Sequence, residues 1–115
     1  MSIKLHQGKS LKAAIVLYNP DGSEYEYDGS ITRVVFGVKS GEFGDLLIEK
    51  ELEYDNTENA FILQLDPEDT EDLPEGTYTY DISYYTDEGF WDLIPADDFI
   101  ILRGVTKQEV QNANN

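Results

Sequence analysis

The chain has 115 residues, 24 Asp and Glu against 8 Lys and Arg, a single His and no Cys, for a formal charge of −16 at pH 7. That length is one domain able to bury its own core. The composition excludes disulfides, thiolate metal sites and a cysteine nucleophile, and the acid excess disfavours nucleic acid and anionic membrane, whose phosphates need clustered Lys and Arg. No stretch approaches the ~18 apolar residues of a membrane span, and Met1-Ser2-Ile3-Lys4-Leu5-His6 has no apolar run of signal-peptide length. The expectation is a protein made and folded in the cytoplasm.

Ile3-Lys4-Leu5 alternates and predicts a short edge strand, broken by His6-Gln7-Gly8-Lys9. Residues 10–18 put Leu11, Ala13, Ile15 and Leu17 on one face and Lys12, Ala14, Val16 and Tyr18 on the other. With both faces partly apolar, this segment predicts a strand inside a sheet. Asn19-Pro20-Asp21-Gly22 is a turn in which Pro presets φ and Gly accepts the left-handed conformation. Residues 24–28 are short and polar, and Gly29-Ser30 turns again. Residues 31–39 predict a strand with Val34, Phe36 and Val38 on one face, followed by a loop that carries Phe43. Residues 46–54 contain good helix formers, but their strict alternation, with a Glu49, Glu51 and Glu53 row facing water, favours a strand.

Residues 60–66 predict a strand with Phe61, Leu63 and Leu65 inward. Asp66-Pro67-Glu68-Asp69 then suits one helical turn, with Asp66 as N-cap and Pro67 at the first helical position. The longest alternation follows: Tyr78, Tyr80, Ile82 and Tyr84 on one face, Thr77, Thr79, Asp81 and Ser83 on the other. This strand should be central. Asp87-Glu88-Gly89 closes a hairpin, the chain returns through Phe90 and Trp91, and Pro95 breaks or bulges the strand as Pro does at sheet edges. Short strands at ~10-residue spacing are the pattern of a β-sandwich or barrel, and a barrel with an interior cavity needs more and longer strands of matched length; the expectation is an all-β sandwich of about seven to nine antiparallel strands over residues 1–105, with a polar tail over 106–115.

Catalytic signals are sparse. His6 stands alone on a presumed edge, no serine sits in a nucleophile-elbow context, and the glycines lie singly at turns rather than in a phosphate-binding run. The carboxylates of residues 66–72 invite comparison with a calcium loop, but they lack the EF-hand glycine and ligand spacing and read as a solvated acidic loop. The chain is read as non-enzymatic, with no cofactor and no metal. Phe43, Tyr85, Phe90 and Trp91 make a candidate contact patch, since exposed aromatics anchor interfaces.

Gly76-x-Tyr78-x-Tyr80 has the spacing of an immunoglobulin-type tyrosine corner, with Tyr78 as the corner and Tyr80 in the place of the second core cysteine. The ordered set Asp66, Asp69, Thr70, Leu73, Gly76, Tyr78, Tyr80, Asp81 and Ile82, with Gly8-Lys9-Ser10 and Asn19-Pro20-Asp21-Gly22 before it, resembles the immunoglobulin-like domains of bacteriophage tail and baseplate proteins. It is similar in particular to the N-terminal domain of upper baseplate proteins, over residues 8–105. The resemblance implies an immunoglobulin-like β-sandwich and a structural role in a phage or prophage particle. It further implies synthesis in the bacterial host cytoplasm, residence in the virion, and other phage structural proteins or further copies of itself as partners. Two alternatives stand beside it: a carbohydrate-binding module for host-surface glycans, prompted by Trp91, and an acidic mimic of nucleic acid, prompted by the charge.

Overall fold

The computed structural model describes residues 2–41 and 43–103; the expected tail, residues 106–115, lies outside them. In chain order the elements are β1 (Ile3–His6), β2 (Leu11–Ile15), β3 (Arg33–Lys39), β4 (Leu46–Asp55), β5 (Ala60–Leu65), the helical turn α1 (Pro67–Thr70), β6 (Gly76–Thr86) and β7 (Gly89–Leu102). The fold is all-β, as the alternation predicts. The strands pair in the order β1-β7-β6-β3-β4-β5-β2, one mixed sheet curled until it is nearly a barrel.

Two expectations need correction. The strands are not all antiparallel: β1 runs parallel to β7, with Ile3 beside Phe99 and His6 beside Leu102. No tight turn ties β1 to its neighbour, so either direction is open to it, and the parallel one sets the buried Leu5 beside the buried Ile101. Residues 10–18 do not lie inside the sheet. β2 is an edge paired to β5 alone, and Lys12 and Ala14 on its second face, with Val16 just past its end, look into water. At Pro95 the bulge expected from the sequence is present, within a β7 that runs on through it. Tyr80 lies beside Asp97 and Ile82 beside Ile94, so Pro95 and Ala96 occupy an irregularity in the ladder, where a residue without an N–H disrupts least.

The core follows from the period of two. Val34, Phe36 and Val38 of β3 are fully buried, β6 adds Tyr80 and Ile82, β7 adds Phe99 and Ile101, and β5 adds Phe61, Leu63 and Leu65. Phe36, Tyr80 and Phe99 meet with ring centroids 5.7 to 6.5 Å apart, tilted or edge-on as ring quadrupoles prefer. β6 is interior, between β7 and β3. β4 serves two neighbours in succession: residues 46–52 pair with β3, and Glu53–Asp55 pair with β5. This change of partner makes the sheet curl.

One inward position of β4 is charged. Lys50 lies beside Phe36 in the register, and its ammonium sits 3.0 Å from the Asp69 carboxylate and 4.0 Å from Asp66. Its stem lies along the apolar side while its head leaves the core. Asp69 also accepts the Asp66 N–H at 2.7 Å, which closes the first turn of α1. Behind it Thr70 is fully buried and accepts the Gly8 N–H at 3.0 Å, while Gln7 donates to the Leu73 carbonyl. The loop after β1 is thereby pinned onto α1.

Candidate functional site

Tyr78 is half-buried at the start of β6, and its hydroxyl donates to the Pro74 carbonyl at 2.6 Å. The side chain thus returns to the backbone four residues upstream, fixing the entry of the strand. Gly76 takes a φ of 153°, which side-chain-bearing residues rarely adopt. Tyr80 is 1% exposed, and burial, followed by the Asp97 carboxylate, raises its hydroxyl above the ordinary value. These three residues form a structural unit at the start of β6, with Tyr80 in the core.

Three of the four candidate contact aromatics meet at the β6–β7 hairpin. Tyr85 and Phe90 are cross-strand partners whose rings stack at 5.1 Å. On the opposite face Tyr84 and Trp91, also partners, stack at 5.7 Å. Phe90 is 64% and Trp91 46% exposed. The outer row extends across the sheet: the Arg33 guanidinium lies 5.0 Å from the Tyr85 ring centroid, and its Nε donates to Glu51 at 3.0 Å. Cation–π contact and ion pair hold both rings in one orientation. Phe43 is not part of this group. It is 95% exposed in the β3–β4 turn, at the other end of β3, about 20 Å away for a strand of that length.

Arg33, Glu51 and Tyr84 belong to the site, although nothing in the sequence singles them out as part of it. Their only signal is alternation; which strand lies beside which is not encoded locally. Tyr25 braces its own loop, and Tyr27 packs that loop onto β4. Tyr25 donates to Asp28 at 2.9 Å, and Tyr27 stacks on Tyr54 at 4.7 Å.

The other polar clusters have structural partners. A cleft of about 220 Å³ between β3, β6 and β7 holds Lys39, Asp81 and Asp92, above Gly37, which pairs with Asp81. Burial, then the neighbouring Asp92, pushes the Asp81 carboxyl up, against the pull of Lys39. Within the acidic run, Asp66 and Asp69 face Lys50. His6 donates through Nδ1 to the Arg103 carbonyl at 3.0 Å. Among the described residues no three His, Cys, Asp or Glu side chains are grouped to hold a metal ion, and no helix is long and apolar enough to cross a membrane.

No protein-family model matches this chain, and no curated protein matches it in sequence.

Proposed function

We propose that this chain is a non-enzymatic structural and assembly protein of a phage or prophage particle, a tail or baseplate component of immunoglobulin-like fold that docks onto neighbouring structural proteins. One observation carries the docking role: Tyr85, Phe90, Tyr84 and Trp91 form two stacked pairs on opposite faces of one hairpin, with Phe90 64% and Trp91 46% exposed. Rigid aromatics lose little freedom on binding and supply much of an interface's energy. The particle assignment rests on the ordered run from Asp66 to Ile82 and is supported by the Tyr78 bond to the Pro74 carbonyl. Particles are symmetric, so the chain would be present in many copies.

Mass spectrometry of gradient-purified particles tests the reading. The chain should be found at fixed stoichiometry, and the double variant Phe90→Ala with Trp91→Ala should be depleted from particles while remaining folded. Absence of the unaltered chain from particles overturns the proposal.

Trp91 favours a second reading, a carbohydrate-binding module, because a partly exposed indole braced by Tyr84 is a platform for a sugar ring. A glycan array answers it: binding abolished by Trp91→Ala supports this reading, and a silent array removes it.

A further inference from the structure

We propose that the free edge of β7 along Phe90–Leu93 takes up one more β-strand, an extended segment of a partner protein with arginine or lysine at alternate positions. The inference rests on the docking reading above and gives it a partner chemistry.

Among the described residues, β1 covers only Phe99–Leu102 of β7, and the first part of β7 has β6 on one side and no strand on the other. An uncovered edge presents unpaired backbone N–H and C=O groups, which proteins usually blunt with Pro, charge, irregularity or shortness. The other edges are blunted: β1 is four residues long and carries Lys4, β2 is five residues long and carries Lys12, and the side of β4 left open over residues 46–52, where β5 pairs only with Glu53–Asp55, carries Glu49, Lys50 and Glu51. The later part of β7 has Pro95, the ladder irregularity, Asp97 and Asp98. The stretch Phe90-Trp91-Asp92-Leu93 has only Asp92. In addition it offers an exposed aromatic on each face, so an added strand would gain apolar contact above and below the backbone ladder.

The charge specifies the occupant. The outer row reads Glu51, Arg33, Tyr85, Phe90 across β4, β3, β6 and β7. The place beyond Phe90 is the one the incoming strand would fill. On the near side of the same row a guanidinium already rests against Tyr85, and the mirror position beside Phe90 suits a second cation. Asp87, Glu88 and Asp92 flank it, and β7 contains no Lys or Arg. A second copy of this chain is disfavoured as occupant, because each copy carries −16.

The probe is a nine-residue peptide of alternating arginine and valine, titrated into the full chain. Trp91 is the only tryptophan, so its fluorescence reports the edge directly. The expected result is a saturable change that weakens as sodium chloride rises, is at least about tenfold weaker in Phe90→Ala, and vanishes when every peptide amide is N-methylated. No saturable change, equal binding of the N-methylated peptide, or an unaffected Phe90→Ala variant each overturns the proposal. So does a dimer in sedimentation that Phe90→Ala dissolves, since the occupant is then a second copy. A chain found in particles that does not take the peptide sinks this inference alone; a chain that takes the peptide and is missing from particles sinks the assembly reading alone.

Discussion

Tyr78 ties the start of β6 to Pro74 through one hydroxyl. Tyr78→Phe keeps the ring and removes the bond, and is expected to cost about 1 kcal/mol, seen as a lower urea midpoint at unchanged slope. Two carboxylates respond to acid in opposite directions. Burial and Asp92 raise Asp81 above its ordinary 3.8, so the folded state holds the proton more tightly and stability falls as pH rises from 3.8 through the folded value. Asp81→Asn should remove that dependence and add about 0.5 kcal/mol at neutral pH, the scale of relieving a like-charge neighbour. Asp28 is lowered to about 2 by the Ser30 hydroxyl and N–H and by the Tyr25 hydroxyl. Its contribution is present above 3.8 and is lost as pH falls towards 2, so Asp28→Asn should flatten that limb of an acid titration followed by circular dichroism.

At the scale of elements, α1 is the most testable piece. Asp69 closes its first turn and neutralises Lys50. Asp69→Ala leaves an N–H and an ammonium short of a partner and should destabilise by about 1–2 kcal/mol. Asp69→Ala combined with Lys50→Met, which fills the inward position with an apolar side chain, should recover part of that loss in thermal melts. This helical turn is legible in the sequence because its signals are local: Asp before Pro, acids in the first turn. The faces of β3, β5 and β6 are legible for a related reason, since Phe61, Leu63 and Leu65, or Tyr80 and Ile82, recur with the period of the pleat. Pairing is not legible. Nothing in residues 46–55 marks the point where β4 leaves β3 for β5, because the alternation runs through it unchanged. Apolar residues on both faces of residues 10–18 suggest an interior strand, yet Ala14 and Val16 face water. The aromatic site is half legible: Tyr85, Phe90 and Trp91 stand on either side of one hairpin turn, whereas Arg33 and Glu51 reach them only through strand neighbours distant in sequence, and Phe43 is carried to the far end.

For the whole molecule the charge of −16 opposes compactness through self-repulsion. Raising salt from about 0.01 M to about 0.15 M shortens the screening length from about 30 Å to about 8 Å, and should raise the melting temperature in calorimetry; a melting temperature that falls would contradict this account. The parallel seam between β1 and β7 gives the molecule a further property. Ile3 leads the first strand, Leu102 closes the last, and the two strands point the same way. Tension entering at Ile3 and leaving at Leu102 therefore slides one strand along the other and loads every bond of the seam at once, where a hairpin pulled at its open end would unzip bond by bond. Pulled between residues 3 and 102 in a force spectrometer, the domain is expected to yield at a higher force than the same domain pulled across the open end of its β6–β7 hairpin.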